Sequence, residues 1–544
     1  MLSIPKLYRS LSLSYDLSLT LLPIQISQSM YSILKRLPAL LLFTLSVPSF
    51  SKDLSGTWLV VPKSREGIAQ WQIFTFSKQG DMTSGTTSYL PALDKGLTLK
   101  GVRIHGDDVH FGSDGGNHWE GKFADDNELH LTWSAETGDW LSEEIRLKRL
   151  SAGQLAALKT QVAADHARLQ PLPAPPVKNV PSNGLASKPI MGWNSWNHYS
   201  SAVDDKAIRA AADALVSTGL RDAGYVYVDI DDGWQGSRDQ NGILHPNEKF
   251  PDMKGLADYI HSKGLKFGIY SSPGPFTCAN YIGSHGYEAQ DAKTFAAWGV
   301  DLLKYDWCSA GDIYRTKDEM RGRYQIMGAA LEATGRPIVY SLCQHGLLDV
   351  GQWGRGVGGN LWRISEDSIL VTRWTAINSR FETHGDPKNS GPGGWNDPDM
   401  LLIGNGGLNT EEYRTHLTLW VMLAAPLILG NDLQEMTPDI REMLLNRDII
   451  SVDQDSLGKQ GHRILKQGNL EIWSKPLANR EFAVALFNRG ATAEKAEVRW
   501  SDLRLSNRVS VRNLWETRDL GRVGAAYSTT VPSHGSVLLK LSGT

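Results

Sequence analysis

Acidic residues stand in the middle of the chain at spacings that suit acid–base chemistry. Asp231 and Asp232 follow one apolar run. Asp306 ends a second run, two residues after Lys304, and Asp367 follows a third. Breaking a glycosidic bond needs two carboxyl groups, one to attack the anomeric carbon and one to protonate the leaving oxygen. The pattern therefore favours polyol recognition and acid/base chemistry on a glycosidic bond.

Polar and aromatic side chains accompany these acids at the predicted strand ends. An Asp at a strand end is often only the N-cap of the next helix, which is the structural alternative for each acid taken singly. Lys304 and Asp306 share one strand face by period-two alternation, so a buried salt bridge is the alternative to an active-site pair. The accompanying candidates are Trp193, Tyr270, Gln344, Arg363 and Asp399.

Composition and motif spacing argue against several classes of protein. The 544 residues carry 56 Lys and Arg against 59 Asp and Glu, so no basic excess predicts a nucleic-acid partner. The 14 His show no HExxH spacing and the 3 Cys no C-x-x-C spacing, so we predict no metal and no cofactor. No Ser-His-Asp set stands at the strand ends. Three cysteines allow at most one intrachain disulfide.

Strand and helix patterns alternate over residues 188–457, the region that carries every candidate. Helical segments such as 204–220 and 254–265 separate eight apolar runs. This alternation predicts a (β/α)8 TIM barrel, whose active site lies at the carboxyl ends of the strands. An open doubly wound sheet is the alternative, but it usually opens with a glycine-rich turn that GWNSWN lacks. The predicted strands are 190–196, 225–231, 266–271, 300–306, 337–342, 361–365, 398–404 and 426–431.

All-β regions flank the predicted barrel. Alternating apolar and polar residues over 52–150, separated by turn residues, predict an extra N-terminal all-β domain, either a sandwich or a barrel. A helix over 151–169 and a proline-rich linker follow within the connecting segment 151–187. Residues 458–544 return to a period of two and predict a C-terminal antiparallel β-sandwich.

Residues 1–51 are predicted to be a leader. A basic pair precedes the apolar run 37–47, and small residues follow at Ser49 and Ser51, which is the pattern of a signal peptide. The run is shorter than the ~20 residues of a membrane span. Met30 stands where such a peptide would start, so we expect it to be the true start and the protein to be secreted or periplasmic, with no membrane partner beyond the signal peptide.

Seven motifs, in order along the chain, resemble those of glycoside hydrolase family 27, the α-galactosidases and their relatives. The resemblance covers about 188–540. It implies a retaining exo-glycosidase that removes terminal α-D-galactosyl residues from oligosaccharides or polysaccharide side chains by double displacement. The motifs are MGWNSWN (191–197), DIDDGW (229–234), HSKGLKFGIY (261–270), WGVDLLKYDWC (298–308), LWRISED (361–367), GPGGWNDPDML (391–401) and DQDSLGKQG (453–461).

The resemblance also implies a role for each matching residue. Asp306 matches the catalytic nucleophile and Asp367 the general acid/base. Cys278 and Cys308 match cysteines that form a disulfide beside the pocket. The implied sugar contacts are Asp231 and Asp232 with the 4- and 6-hydroxyls, Lys304 with the 3- and 4-hydroxyls, Arg363 with the 2-hydroxyl, and Trp193, Tyr270 and Asp399 in or near the pocket.

The implied chemistry sets the protonation states that the two acids need. A nucleophilic carboxylate must be ionised, and a nearby cation such as Lys304 or Arg363 lowers its pKa. The acid partner must hold a proton near the working pH, so we expect burial or the charge of Asp306 to raise the pKa of Asp367.

The segment SLCQHG departs from the family pattern. Gln344 stands where many α-galactosidases have Glu, and His345 stands where Trp is common. The loop contacts the 2-position of the sugar in the family, and Gln344 can still exchange hydrogen bonds with a 2-hydroxyl. The glycone therefore stays open between galactose, N-acetylgalactosamine and arabinopyranose, although the intact Asp231–Asp232 pair favours galactose.

The whole protein and its N-terminal domain each admit a second interpretation. A non-catalytic sugar-binding protein on a hydrolase scaffold is disfavoured, since degenerate copies typically lose one of the two catalytic acids. The N-terminal β domain is either a carbohydrate-binding module or a structural accessory with tryptophans in its core. A homo-oligomer and the state of Cys343 stay open. The candidate sugar platforms are Trp71, Trp119, Trp133 and Trp140.

Overall fold

A computed structural model describes residues 52–543, apart from several short stretches. The stretches outside the description are 62–70, 81, 91–96, 114–116, 136–140, 169, 174–175, 177, 368–372 and 506–507. The predicted leader, 1–51 with Met30, also lies outside the described residues.

The N-terminal region forms a closed barrel of eight antiparallel strands in which neighbours along the chain pair with each other. The first strand also pairs with the eighth, which closes the barrel. Its interior is filled by aromatic and aliphatic side chains, including Trp58, Phe74 and Trp119. The strands are β1 Gly56–Val61, β2 Trp71–Gln79, β3 Met82–Leu90, β4 Leu97–His105, β5 Asp108–Ser113, β6 Asn117–Phe123, β7 Glu128–Ala135 and β8 Leu141–Leu150.

One strand of this barrel, β3, lacks the apolar–polar alternation on which the prediction for residues 52–150 rests. β3 reads MTSGTTSYL and pairs with β2 along its whole length. Its interior lacks the large apolar residues that mark a strand, and its threonines are its main signal of β structure. Gly85 is required by close packing, because a Cβ there would lie 2.7 Å from the ring of Phe76.

The connecting segment packs on both of its neighbours. Helix α1, Ala152–Arg168, places Leu158 against Ile73 of the N-terminal barrel. The proline-rich chain that follows lies on the central domain, where the backbone amide of Leu172 donates to Tyr314 Oη at 2.9 Å.

Eight parallel strands form the central barrel, in the order β17-β16-β15-β14-β13-β10-β9-β18. A parallel bridge between Leu401 and Leu429 joins the chain after β17 to β18 and closes the ring. Each strand is buried on both sides, as expected when helices surround a parallel barrel. The strands are β9 Met191–Asn194, β10 Tyr227–Ile230, β13 Lys266–Ser271, β14 Leu302–Asp306, β15 Val339–Cys343, β16 Leu361–Arg363, β17 Trp395–Asp397 and β18 Leu427–Leu429, and the hairpin β11 Gln235–Arg238 with β12 Leu244–Pro246 follows β10.

Helices surround this barrel, and several begin at side-chain caps. Asp204 caps α3 by accepting from Ala207 N, and Asn409 and Glu412 form a reciprocal capping box on α11. No helix in the described part of the chain has the length and apolar character to span a bilayer. The helices are α2 Trp196–Tyr199, α3 Asp205–Ser217, α4 Leu220–Ala223, α5 Met253–Ser262, α6 Glu288–Trp298, α7 Ala310–Ile313, α8 Lys317–Ala333, α9 Val350–Trp353, α10 Trp374–Arg380, α11 Thr410–Leu423, α12 Pro438–Leu444 and α13 Arg447–Asp453.

The seventh barrel strand lies earlier in the chain than predicted. The prediction 398–404 is wrong, because β17 is Trp395–Asp397 and pairs with Leu361–Arg363. Pro398 has no amide hydrogen to donate, and Asp399 has a positive φ of 100°, so the regular ladder ends there. Of the predicted segment, Leu401 alone forms a described β-bridge.

The C-terminal domain is antiparallel, with one six-stranded and one two-stranded sheet packed around a common core. Among the eight described strands of this domain, β19, β24 and β25 lack the clear apolar–polar alternation on which the prediction for residues 458–544 rests. β19 and β24 are mostly exposed and rich in charged residues, whereas β25 is mostly partly buried and consists largely of Tyr, Ser and Thr. The strands are β19 His462–Gln467, β20 Leu470–Pro476, β21 Phe482–Asn488, β22 Glu494–Arg499, β23 Val509–Asn513, β24 Arg518–Val523, β25 Ala526–Val531 and β26 Ser536–Ser542.

Candidate active site

Asp306 ends β14 inside the barrel and is 5% exposed. Its Oδ1 accepts from the amide of Trp307 at 2.8 Å and lies 3.3 Å from His345 Nε2. Its Oδ2 accepts from Tyr270 Oη at 3.1 Å. Both oxygens are therefore fixed in direction by donors from three different chain segments.

The charges around Asp306 favour its ionised form. Burial acts to raise the pKa of Asp306, but the hydrogen bond from His345 and the charge of Lys304 outweigh it, so the pKa lies below the usual 3.8. The expectation that a cation keeps this carboxyl ionised is confirmed for Lys304. Asp306 thus has the protonation state that a nucleophile needs.

Asp367 follows β16 and reaches the same cleft. Its Oδ1 lies 2.9 Å from Arg363 Nη1 and 3.3 Å from His345 Nδ1. The side chain is 36% exposed, more than Asp306, so it stands toward the opening of the cleft. One imidazole ring therefore contacts both Asp306 and Asp367, and the two acids converge on a common space.

The pKa of Asp367 differs from the expectation. Burial acts to raise it, but the close approach of the His345 ring and the charge of Arg363 dominate and hold the pKa well below the usual 3.8. The prediction of a raised pKa is wrong for this structure, because Arg363 and His345 face the carboxyl and together lower its pKa by more than burial raises it. A general acid at this position therefore needs a source for its proton.

Asp231 and Asp232 follow β10 and are both buried. Asp231 Oδ2 accepts from Lys304 Nζ and from Asn194 Nδ2, each at 2.7 Å. Asp232 Oδ2 accepts from the amide of Ala279 at 2.6 Å, while its buried Oδ1 has no hydrogen-bond partner among the described residues. Burial raises the pKa of Asp232 to about 7. A buried acceptor without a donor is what a sugar hydroxyl would satisfy.

Arg363 links the acid/base candidate to a further acid. Its Nη1 lies 2.9 Å from Asp399 Oδ1 as well as 2.9 Å from Asp367. Asp397 orients Asp399 by accepting from its backbone amide at 2.9 Å. The guanidinium is buried, so these carboxylates offset the cost of placing its charge inside the protein.

Trp193, Tyr270 and Gln344 are nearly or fully buried at the strand ends. Trp193 donates from Nε1 to the carbonyl of Asn431 at 2.8 Å. Gln344 is 0% exposed and donates from Nε2 to the carbonyl of Arg363 at 3.2 Å. A contact between Gln344 and a sugar stays a prediction, and it would require this side chain to become accessible.

Cys278 and Cys308 form a disulfide whose Cα atoms are 5.0 Å apart, as the resemblance implies. Both sulfurs lie beside the site, with Cys278 Sγ 3.7 Å from Asp306 Oδ2 and Cys308 Sγ 3.5 Å from Tyr270 Oη. Cys343 is free and buried at the end of β15.

One group of three side chains has the spacing that a soft metal ion could use. Asp306, Cys343 and His345 each place a ligand atom within 4.8 Å of the others. Burial raises the pKa of the Cys343 thiol well above 9, which disfavours the thiolate that a metal requires. The prediction that no metal is used stays a prediction.

Sequence reasoning missed three polar residues of the site. His345 was noted only as a departure from the family. Asn194 and Asp229 support Asp231 from below, since Asn194 Nδ2 also donates to Asp229 Oδ2 at 2.6 Å. Asp229 precedes Asp231 by two residues, so period-two alternation could have placed it on the same inward face. Asn194 ends β9 and stands among the predicted strand ends, but no role in the site was predicted for it.

The N-terminal tryptophans divide into core and partly buried positions. Trp119 is 3% exposed and packs against Phe74 and Phe111 inside the N-terminal barrel. Trp133 is partly buried and donates to Asn117 Oδ1 at 3.0 Å. Trp140 and the side chain of Trp71 lie outside the described part of the chain. Trp119 cannot serve as a sugar platform without leaving the core.

The fold and the site together define the class of protein as a glycoside hydrolase. Two carboxylates converge at the carboxyl ends of barrel strands, beside a set of buried acidic, amide and aromatic side chains. The family model described as "Alpha galactosidase A" matches residues 188–455, and that described as "Alpha galactosidase C-terminal beta sandwich domain" matches 467–541. The chain belongs to glycoside hydrolase family 27, the α-galactosidases, and is an enzyme that hydrolyses terminal α-galactosyl residues.

Individual relatives agree with this assignment. An α-galactosidase of Cyamopsis tetragonoloba is 42% identical over 367 residues, which cover 66% of this chain and 87% of that protein. The crystal structure of α-galactosidase I from Mortierella vinacea is 41% identical, with a TM-score of 0.63, and covers 66% of this chain and 98% of its own.

A third relative extends the similarity beyond the catalytic region. A crystal structure from Bacteroides fragilis, described as that of an α-galactosidase/melibiase candidate, is 29% identical with a TM-score of 0.63. It covers 90% of this chain and 98% of its own. Because the two family models lie within residues 188–541, this match includes much of the N-terminal β region as well.

Proposed function

We propose that the protein cleaves α-galactosides by double displacement, with retention of configuration at the anomeric carbon. Asp306 attacks that carbon and forms a galactosyl-enzyme ester, while Asp367 protonates the leaving oxygen. Asp367 then removes a proton from the water that hydrolyses the ester. The observation that carries this proposal is the convergence of the two carboxyls on one imidazole ring, 3.3 Å from each.

The environments of the two acids support this division of labour. Asp306 is buried, has both oxygens oriented by donors and has a lowered pKa, as a nucleophile requires. Asp367 is more exposed and stands where a leaving group and an incoming water can reach it. Exchanging the roles would place the nucleophile at the more exposed and more solvated carboxyl.

Galactose recognition is assigned to the buried acids after β10. Charged acceptors fix the direction of a hydroxyl, and Asp231 and Asp232 suit the axial 4-hydroxyl and the 6-hydroxyl. Lys304 lies beside them and donates to the adjacent 3-hydroxyl. Arg363 faces the opposite side and is assigned to the 2-hydroxyl, with Trp193 and Tyr270 closing the pocket around the ring.

Product stereochemistry tests the proposed mechanism. Proton NMR during hydrolysis of 4-nitrophenyl α-galactoside is expected to show α-galactose first, followed by slow conversion to the β form. Asp306→Asn is expected to lose nearly all turnover while remaining folded. Appearance of β-galactose first, or activity of Asp306→Asn near that of the wild type, would refute the assignment.

A panel of nitrophenyl glycosides tests the glycone. The α-galactoside is expected to react fastest because Asp232 has a free acceptor for the C6 arm. A preference for the β-L-arabinopyranoside or the N-acetylated sugar would assign the protein to those activities of the family. Turnover of none of them would favour a non-catalytic sugar-binding protein.

Secretion is proposed from the leader. Residues Met30–Ser51 carry the basic, apolar and small-residue segments of a signal peptide, so the mature protein is expected in the periplasm or outside the cell. Fractionation of expressing cells, with N-terminal sequencing of the mature protein, checks this. Retention of residues 30–51 in the mature chain would contradict it.

A further inference from the structure

His345 occupies a position that joins the two catalytic carboxyls. It follows β15 by two residues and has a left-handed backbone with φ of 58°, which turns its side chain back over the strand end. Nε2 lies 3.3 Å from Asp306 Oδ1, and Nδ1 lies 3.3 Å from Asp367 Oδ1. The ring is only 20% exposed, so solvent does not compete freely for either nitrogen.

Negative charge dominates the immediate surroundings of this ring. Asp306 faces it from β14, and Asp367 and Glu366 face it from the loop after β16, with Glu366 Oε2 3.6 Å from Nδ1. Two cations of the site, Lys304 and Arg363, are paired with Asp231 and Asp399 respectively. The thiol of Cys343 also lies near the ring, with its sulfur within 4.8 Å of a His345 nitrogen, and burial raises its pKa well above 9.

The imidazolium form is therefore stabilised. Burial acts to lower the pKa of His345, but the close approach and negative charge of Asp306 and Asp367, each 3.3 Å from the ring, outweigh it and raise the pKa to about 10. The raised pKa of His345 and the lowered pKa of Asp367 together favour a proton on the ring and an ionised carboxylate beside it. Nδ1 is buried and has no aligned hydrogen-bond acceptor among the described residues, although Asp367 lies within reach.

We propose that His345 is a positioning residue that stores the proton which Asp367 delivers to the leaving oxygen. This inference rests on the proposed hydrolysis and adds a residue to its machinery. The ring holds the two carboxyls at their working separation. Its positive charge also allows Asp306 and Asp367 to stay ionised together until a substrate enters. Without it, repulsion between two neighbouring carboxylates would raise the pKa of one of them.

The proton can be followed through both steps. In the first, an Oδ of Asp306 bonds to the anomeric carbon and the bond from that carbon to the leaving oxygen breaks. That oxygen takes a proton from Asp367, which takes the Nδ1 proton of His345 and leaves a neutral imidazole. In the second, water attacks the ester and gives a proton to Asp367, which returns one to His345. The cycle restores the starting charges and consumes one water.

The pH profile of kcat/KM distinguishes this role from a purely structural one. The sugar that leaves from melibiose is a poor leaving group and must be protonated as it departs. The fall of kcat/KM at alkaline pH therefore reports loss of the proton shared by His345 and Asp367. His345→Asn and His345→Gln keep a polar side chain but carry no titratable proton. Both are expected to move the alkaline limb to lower pH and the acidic limb to higher pH, each by about one pH unit or more.

Leaving-group dependence supplies a second readout. A 2,4-dinitrophenyl leaving group departs without protonation, so its kcat/KM should fall about tenfold or less in His345→Asn. The same variant should lose about 10²–10⁴-fold with melibiose, the usual contribution of general acid catalysis. Equal losses on both substrates would overturn the proposal, as would a melibiose profile with unmoved limbs.

A matched control exists at the opposite end of β14, the strand that ends at Asp306. His261 Nε2 lies 2.7 Å from Asp301 Oδ2, just before β14 begins. His261→Asn also breaks a histidine–aspartate pair but leaves the site intact, so both limbs should stay in place. Circular dichroism and thermal unfolding identify the variants that fold.

A measurement on the wild type covers the case in which neither His345 variant folds. Imidazolium ionisation absorbs much more heat than carboxyl ionisation. The alkaline limb for melibiose should therefore move to lower pH on warming, and a limb independent of temperature would overturn the proposal. A failure of the proposed function can be told apart from a failure of this inference. In the former case the wild type would hydrolyse neither melibiose nor the 2,4-dinitrophenyl α-galactoside.

Discussion

Lys304 Nζ lies 2.7 Å from Asp231 Oδ2 and joins two barrel strands that have a third strand between them. It reaches across Tyr270 of that middle strand, with its ammonium 5.3 Å from the centre of the ring. The same cation lowers the pKa of Asp306, two residues along its own strand. One side chain therefore orients a proposed sugar-binding acid and helps to keep the nucleophile ionised.

Replacing this cation should impair catalysis on both counts. Lys304→Met is expected to lower kcat/KM for α-galactosides by about 10²–10³-fold, the scale seen when one preorganised donor is removed. The acidic limb of the pH profile should move to higher pH because the pKa of Asp306 rises. Lys304→Arg keeps the positive charge, so the acidic limb of its pH profile should stay at the wild-type position. An unmoved limb in Lys304→Met would show that Lys304 does not control the ionisation of Asp306.

Buried acids should make stability fall as the pH rises. Burial raises the pKa of Asp229 to about 8, of Asp232 to about 7 and of Asp397 to about 6. Between about pH 4 and 8 the native state holds protons that the unfolded chain has lost. The free energy of unfolding should therefore decrease across that window, by up to about 1.4 kcal/mol per pH unit for each group. Denaturant titrations at several pH values measure this slope.

Asp229→Asn isolates one of these groups. The amide cannot titrate, so the fall in unfolding free energy between about pH 5 and 8 should be shallower than in the wild type. Asp502→Asn, on the exposed surface of the C-terminal domain, is the matched replacement and should leave the slope unchanged. If both variants retain the wild-type slope, the burial of Asp229 is not what sets it.

The catalytic barrel could be predicted from sequence because local signals agree with the final fold. Each strand is a short apolar run, and the acids at the strand ends share one edge of the barrel by geometry alone. Asp231, Asp306 and Asp367 could thus be placed together before any coordinates. The disulfide came instead from the family resemblance, since three cysteines permit three pairings.

Features that depend on backbone detail could not be predicted in this way. The seventh strand was misplaced because the ladder ends at Pro398, and the apolar run that follows looks like a strand. The role of His345 depends on a left-handed turn and on carboxyls from two other chain segments, which no local pattern reports. The lowered pKa of Asp367 follows from that same contact and was missed with it.

The disulfide beside the site should contribute to global stability. Cys278 and Cys308 are separated by 30 residues, and a crosslink of this span restricts the unfolded chain by about 3–4 kcal/mol. The double variant Cys278→Ser/Cys308→Ser should unfold at a lower guanidinium concentration. Dithiothreitol should lower the guanidinium midpoint of wild-type unfolding to a similar value and leave the midpoint of the double variant unchanged. Coincident midpoints for oxidised wild type and double variant would contradict the prediction.

Asp399 combines an unusual backbone with a functional contact. Its φ of 100° is tolerated better by Asn or Asp than by Ala, and its carboxylate pairs with buried Arg363. Asp399→Asn and Asp399→Ala should both lower kcat/KM, since each leaves Arg363 without this anion. Asp399→Ala should also lose about 1–3 kcal/mol of stability relative to Asp399→Asn from backbone strain. Equal unfolding free energies for the two variants would argue against that strain.

Trp119 of the N-terminal barrel can be tested for two alternative roles, as a sugar-binding platform or as part of the structural core. Trp119 is buried against Phe74 and Phe111, so Trp119→Ala should reduce the stability of this domain by about 3–5 kcal/mol. Trp133→Ala, at a partly buried position, should have a smaller effect. Thermal unfolding measures both, and affinity electrophoresis in galactomannan measures polysaccharide binding at a temperature where the variants remain folded. A structural role predicts unchanged retardation in the gel, whereas lost retardation in folded Trp119→Ala would identify a carbohydrate-binding module.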